Sequence, residues 1–170
     1  MNLADFSEEG PIFVDANVFI YHLLDHPSFG EHCTAFLEKI ESGRVLAYTS
    51  SLVIDEVYYA ILISKGTEIL QTKQIKVVQR RLKTDRELVE LCYNEVLVFQ
   101  NYLDALEERS LVIADVTSKT LRGSIEIAKR HLLLPRDAVH LSTCKEFGIR
   151  HIASNDADFE RVDFVSLWRP

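Results

Sequence analysis

A chain of 170 residues is long enough for one domain with a substantial core, and a hydrophobic content of 47% argues against disorder. The net charge of −7 argues against a protein that binds nucleic acid through bulk positive charge. It does not exclude an enzyme that acts on RNA, because a cluster of metal-binding acids itself lowers the isoelectric point. We expect a single domain over residues 1–170.

The cysteines and the first residues of the chain bear on its compartment. Cys33, Cys92 and Cys144 are odd in number and include no Cys-x-x-Cys pair, which argues against a disulfide framework and a structural zinc site. The chain does not start with a basic stretch followed by a long apolar one, and no run approaches the ~20 apolar residues of a membrane span. We therefore expect a soluble cytoplasmic protein with no membrane contact.

The first part of the chain alternates short apolar runs with amphipathic segments, which predicts strands and helices in turn. Asn17 has the residue type of a helix N-cap, Pro27 stops the helix that follows, and Gly43 ends the next one. The predicted elements are a strand over Ile12–Val14, a helix from Asn17 through Leu24, a helix over 29–42, a strand over 45–49, and a helix that Ser50 or Ser51 caps and that ends near Gly66.

The second part begins with two helices that separate at Thr84, where Thr84 and Glu87 have the spacing of a capping box. The second of these helices runs to about Arg109 with apolar residues at a helical period. Pro135 suits the first turn of a later helix because its missing N–H costs nothing there. The elements beyond residue 109 are a strand over Leu111–Ala114, a helix over 117–131, the helix from Pro135, a strand over His151–Ala153 and a strand over 164–167.

Strands separated by helices predict a mainly parallel sheet that is covered on both faces. The expected fold class is therefore α/β, a three-layer α/β/α arrangement around a central sheet of four to five strands. The helices around residues 66–109 form an extension to this arrangement.

Four acids lie at the ends of predicted strands or in predicted helices, next to apolar segments where carboxylates are rare. They are Asp15, Glu56, Asp137 and Asp156. If they converge, they repel one another unless protons or cations neutralise them, and oxygen ligands favour a hard cation such as Mg²⁺ or Mn²⁺. Because sites in open α/β sheets form beyond the carboxyl ends of strands, the pattern indicates a metal-dependent site for phosphodiester cleavage.

Each of these polar residues also has a purely structural interpretation. Asn17 alone is more typical of a helix cap than of a ligand, and Asp137 suits the dipole at the start of a helix. Asp156 and Asp158 are both typical of turns. It is the ordered set of acids, more than any single residue, that indicates a site.

Four segments surround the candidate acids, in order along most of the chain. They are Phe13-Val14-Asp15-Ala16-Asn17-Val18-Phe19, Ser51-Leu52-Val53-Ile54-Asp55-Glu56-Val57, Arg136-Asp137-Ala138-Val139-His140-Leu141-Ser142-Thr143-Cys144 and Ala153-Ser154-Asn155-Asp156-Ala157-Asp158-Phe159. In this order they resemble the PIN domain and most closely the toxin-type ribonucleases of the VapC family. This chain departs from that pattern in its helices between Gly66 and Arg109, since such toxins are usually shorter, and it has Ser142 and Cys144 where alanines are common.

The resemblance implies a metal-dependent endoribonuclease with Mg²⁺ or Mn²⁺ as its cofactor and single-stranded or structured RNA as its substrate. It also implies an antitoxin as a partner protein, and pairing of two copies of the chain as a homodimer. The implied catalytic and metal-binding acids are Asp15, Glu56, Asp137 and Asp156, and the implied supporting residues are Asn17, Ser154, Asn155 and Asp158.

A stripe of positive charge lies within the helical extension. Lys73, Lys76, Arg80 and Lys83 recur at helical spacing, opposite an apolar face. They are candidates for binding the RNA backbone, and Arg136, next to Asp137, is another. The alternative is an ordinary solvated helix face.

Two other functions remain open from the sequence. The first is a phosphatase in which Asp15 attacks phosphorus, although such enzymes usually carry Asp-x-Asp where this chain has Asp15-Ala16-Asn17. The second is a catalytically inactive PIN-like RNA-binding module, which would not need all four acids.

Overall fold

A computed structural model describes residues 1–7 and 10–170 of the chain. Within these residues the centre of the molecule is a five-stranded, wholly parallel sheet with the strand order β3-β2-β1-β4-β5. This confirms the predicted α/β class and the parallel sheet. The strands are β1 (Ile12–Val14), β2 (Ala47–Ser50), β3 (Leu111–Ala114), β4 (His151–Ala153) and β5 (Ser166–Trp168).

Helices connect the strands and pack around the sheet. The first and second helices pack on each other, the third packs on the fifth, and the sixth packs on the seventh. No helix of the described residues is long and apolar enough to cross a membrane. The helices are α1 (Ala16–Leu23), α2 (Gly30–Glu41), α3 (Ser51–Ile69), α4 (Ile75–Leu82), α5 (Arg86–Glu107), α6 (Ser118–His131) and α7 (Pro135–Glu146), with 3-10 turns at Leu3–Asp5 and Ala157–Arg161.

The central position of β1 explains its continuous apolar sequence. Ile12, Phe13 and Val14 are all fully buried, because β1 pairs with β2 on one side and with β4 on the other. The pairing continues one residue beyond the strand, where the Asp15 N–H donates to the Ala153 carbonyl at 3.1 Å. The carboxyl ends of β1 and β4 therefore meet at the same edge of the sheet.

Two predicted strands are displaced along the chain. The prediction of 45–49 for β2 was wrong at its start, because the Val45 N–H donates to Lys39 at the end of α2 instead of joining the sheet. The prediction of 164–167 for β5 was also early by two residues at its start. Phe164 packs edge-on against His131, and the ladder begins with the Ser166 N–H, which donates to the Arg150 carbonyl at 2.7 Å.

Two predicted helix caps were wrong. Asp15, not Asn17, caps α1, because its side chain accepts the N–H of Ala16 and leaves Asn17 inside the helix. Asp85, not Thr84, caps α5 and accepts the Leu88 N–H at 3.1 Å. In both cases an aspartate one or two residues from the predicted cap occupies the N-cap position. Aspartate is at least as good an N-cap as asparagine or threonine.

The predicted end of α3 near Gly66 was also wrong, since the helix continues to Ile69. Gly66 is buried inside the helix, and a Cβ at this position would collide with Cγ1 of Val78. Gly66 is therefore the point where α4 approaches α3, and its small size serves packing instead of ending the helix.

Candidate metal and active site

The site is centred on Asp15, which follows β1 and is only 7% exposed. Its Oδ1 accepts the Ala16 N–H at 2.8 Å, and its Oδ2 accepts the Ser154 hydroxyl at 2.6 Å. Burial raises the pKa of Asp15, and Glu56 raises it further, whereas His140 and the Ser154 and Ala16 hydrogen bonds lower it. The chain thus keeps a buried carboxylate beside a second acid and offsets only part of the electrostatic cost.

Asn17 and Ser154 join the ends of β1 and β4 into one network. The Asn17 amide donates to Asp15 Oδ2 at 2.6 Å and to Ser154 Oγ at 2.9 Å. The Asn17 side-chain oxygen, Oδ1, accepts the backbone N–H of Asn155 at 3.1 Å. The structure thus brings together the predicted supporting residues Asn17, Ser154 and Asn155. Asn17 and Ser154 donate to Asp15, and Asn155 donates to Asn17.

The two acids after β4 have different surroundings. The Asp156 N–H donates to Ser154 Oγ at 3.0 Å, which ties its backbone to the same network. Asp156 Oδ1 then accepts the Asp158 N–H at 2.8 Å and caps the 3-10 turn. The Asp158 carboxylate is ion-paired with Arg161, so Asp158 lies beside the site but has a partner of its own.

Asp137 approaches the other acids from the first turn of α7. Burial raises the pKa of Asp137, and Asp156 raises it next, with smaller contributions in the same direction from Asp15 and Asp158. Like-charge repulsion of this kind requires the carboxylates to be close together. Asp15, Asp137 and Asp156 therefore share one region at the carboxyl edge of the sheet.

The fourth predicted acid, Glu56, lies on α3. Its Oε1 atom is buried and has no hydrogen-bond partner among residues 1–7 and 10–170. The nearest cationic or imidazole nitrogens are His140 Nε2 at 3.4 Å and Arg136 Nη1 at 3.5 Å. These two contacts lie within ion-pair distance but lack hydrogen-bond geometry, so the hydrogen-bonding capacity of this oxygen is unused within the described residues.

His140 lies three residues after Asp137, a spacing interpreted from the sequence as favouring packing or hydrogen bonding over metal ligation, and the structure places it in the site. It is 2% exposed, packs against the ring of Phe13, has its Nε2 3.4 Å from Glu56 Oε1 and lowers the pKa of Asp15 and of Asp137. Its spacing of three residues from Asp137 on one helix was the available signal. That signal is weak, because buried histidines with the same spacing are common in helix packing.

The donor set suits a hard divalent cation. The acids that approach one another offer only oxygen, and they repel in its absence. In the described part of the chain, no three Asp, Glu, His or Cys side chains lie close enough together to hold a metal ion as they stand. The acids are spread around an open edge of the sheet, so a cation there would take part of its ligands from water or a phosphate.

The predicted RNA contacts lie in two places. Arg136 is beside the acids, with its side chain 61% exposed. Lys76 and Arg80 lie on α4, and Lys73 and Lys83 flank that helix. No hydrogen bond or ion pair within the described ranges joins these four residues to the acids.

Comparisons with known proteins agree with this geometry. A family model for the PIN domain matches residues 12–165. The chain is 32% identical over 161 residues to "Ribonuclease VapC2" of Methanocaldococcus jannaschii, and the match covers 94% of both chains.

Two solved structures share the fold at low sequence identity. The first is VapBC2 from Rickettsia felis bound to a DNA fragment from its promoter, with a TM-score of 0.54, 16% identity and coverage of 94% of this chain and 98% of that one. The second is VapC20 of Mycobacterium tuberculosis, described as a toxin that cleaves the sarcin-ricin loop. Its TM-score is 0.53 at 15% identity, with coverage of 91% and 96%.

Proposed function

Because this chain belongs to the PIN domain family, we propose that it is a metal-dependent endoribonuclease that hydrolyses RNA phosphodiester bonds. The observation that carries the proposal is the position of Asp137, whose pKa is raised by burial and by the Asp156 and Asp15 carboxylates, together with the buried Oε1 of Glu56, which accepts no hydrogen bond within the described residues. Carboxylates that are held close together destabilise a fold unless a cation or a reacting group offsets their charge.

Asp15, Glu56, Asp137 and Asp156 would hold Mg²⁺ or Mn²⁺. When bound, the cation supplies water of lowered pKa and offsets charge on the scissile phosphate. Ser154 and Asn17 fix the direction in which Asp15 Oδ2 points. Arg136 is exposed beside Glu56 and can turn its guanidinium to a phosphate oxygen, the group that guanidinium recognises best.

The experiment that tests the proposal is incubation of the purified protein with a mixed RNA pool in Mg²⁺, in Mn²⁺ and in EDTA. We expect shorter products from internal cuts with either metal and none in EDTA. Intact RNA under all three conditions would contradict the proposal. RNA that is bound but not cut would favour an inactive binding module, and a phospho-enzyme trapped on Asp15 would favour the phosphatase.

We further propose that the chain is the toxin of a toxin–antitoxin pair. The support is its similarity over 94% of its length to a ribonuclease of the VapC type. Co-expression with the protein of the adjacent gene should give a stable complex with reduced cleavage. Light scattering of the protein alone tests the accompanying proposal that it pairs as a homodimer.

A further inference from the structure

We propose that Lys73, Lys76, Arg80 and Lys83 form a second RNA-binding surface, remote from the acids, that holds the phosphates of RNA flanking the cleaved bond. These four residues are called the α4 stripe. The inference rests on the proposed ribonuclease function and deepens it, because it states that the enzyme prefers RNA long enough to reach both surfaces.

The first support is the distribution of charge. Residues 65–86 hold seven basic and two acidic residues, a net charge of +5, against −12 for the rest of a chain whose total is −7. A concentration of positive charge in an otherwise acidic chain is the electrostatic signature of a polyanion site.

The second support is the way in which these seven cations are paired. Lys65 bridges Glu68 and Glu95, Arg81 pairs with Asp85, and Arg86 pairs with Glu90. The four residues of the α4 stripe are all exposed, and no ion pair involves them within the described residues. The segment therefore neutralises the cations outside the stripe and leaves those within it available for a ligand.

The third support is the orientation of α4. Lys76, Arg80 and Lys83 follow at intervals of four and three residues, so they share one helix face. On the opposite side Val78 is fully buried against Gly66 of α3. That contact fixes which face of the short helix points outward, and Lys76, Arg80 and Lys83 are on it, whereas Lys73 precedes the helix.

The composition of the stripe favours phosphate over a protein partner. Three of its four residues are lysines, which are depleted at protein–protein interfaces, where arginine and aromatic residues are enriched. Lysine acts as a point charge and suits backbone phosphates, whose recognition needs no fixed direction.

The position of α4 sets the length of RNA that can use both surfaces. Gly66, where α4 rests, is ten residues beyond Glu56 on α3, and ten helical residues span about 15 Å. An RNA of two nucleotides in the acid cluster is too short to reach the stripe, whereas one of twenty nucleotides can.

The test is equilibrium binding in EDTA of labelled single-stranded RNAs of about two and about twenty nucleotides, measured at several salt concentrations. The variant carries Lys73→Gln, Lys76→Gln, Arg80→Gln and Lys83→Gln, since glutamine keeps the helix propensity. The matched control carries Lys119→Gln, Arg122→Gln, Lys129→Gln and Arg130→Gln on α6. It removes the same net charge from another helix, where Lys119, Lys129 and Arg130 are ion-paired with Glu146, Glu126 and Asp163.

We expect the stripe variant to bind the longer RNA at least ~tenfold more weakly, with a salt slope shallower by up to ~0.7 for each lost contact. The shorter RNA and the α6 control should change little. Equal losses in the two variants would overturn the inference in favour of a general charge effect. Unchanged binding of the longer RNA would overturn it in favour of a solvated face or an acidic protein partner.

The binding assay contains no metal and measures no cleavage, so its outcome is independent of the proposed catalysis. If the RNA pool is cut in Mg²⁺ but the stripe variant binds normally, the inference fails alone. If the stripe variant loses binding but no RNA is ever cut, the proposed ribonuclease function fails alone.

Discussion

Asp137 shows how a single residue reveals the character of the site. It lies in the first turn of α7, where a helix dipole favours a carboxylate, yet burial and Asp156 raise its pKa above the ordinary value. Burial, followed by repulsion from Asp156, therefore outweighs a favourable helix position. The same conflict holds for Asp15, whose cap position and Ser154 hydrogen bond do not offset its burial.

We predict that Asp137→Asn stabilises the metal-free protein increasingly as pH rises. A carboxyl group whose folded pKa lies above 3.8 binds its proton more tightly in the folded state. Its contribution to stability is complete below that value and is lost as pH rises through the folded pKa. Urea unfolding in EDTA should therefore show that the free energy of unfolding of the variant rises relative to that of the wild type between pH 4 and pH 7. An exposed control, Asp55→Asn, should show no such trend, and a variant less stable than the wild type at pH 7 would contradict the prediction.

At the scale of elements, the contact between Gly66 and Val78 joins α4 to α3. We predict that Gly66→Ala destabilises the protein by about 1–3 kcal/mol, because overpacking outweighs the better helix propensity of alanine. Chemical denaturation measures the loss. Adding Val78→Ala should recover part of it, since the colliding methyl group is removed. If Gly66→Ala is neutral or stabilising, α4 is not held at this point.

The elements also show what the sequence could predict. The strands Leu111–Ala114 and His151–Ala153 were predicted at the bounds that the structure has, because apolar runs between helices define buried parallel strands. The caps at Asp15 and Asp85 were missed because neighbouring polar residues have similar propensities, and local geometry decides between them. His140 was interpreted as a packing or hydrogen-bonding residue and not as part of the site, because Glu56, which it meets in the folded protein, is distant in sequence.

At the scale of the whole molecule, cation binding and folding should be coupled. We predict that Mg²⁺ or Mn²⁺ raises the melting temperature, because a cation binds the folded cluster in preference to the unfolded chain. A concentration near one hundred times Kd corresponds to about 2.7 kcal/mol, and so to a rise on the order of 5–10 °C for a chain of this size. Asp137→Asn should reduce the rise and Asp55→Asn should not. A melting temperature that stays constant well above millimolar cation would count against the site.

RNA cleavage by the Asp15→Asn variant in Mg²⁺ and in Mn²⁺ tests most directly whether these acids catalyse the reaction. Asparagine is nearly isosteric and also caps helices well, so the variant should fold, which circular dichroism checks. It lacks the charge that the buried position holds at an electrostatic cost. We predict that metal-dependent cleavage is abolished in the folded Asp15→Asn variant and retained in Asp55→Asn. Wild-type turnover by folded Asp15→Asn would contradict it.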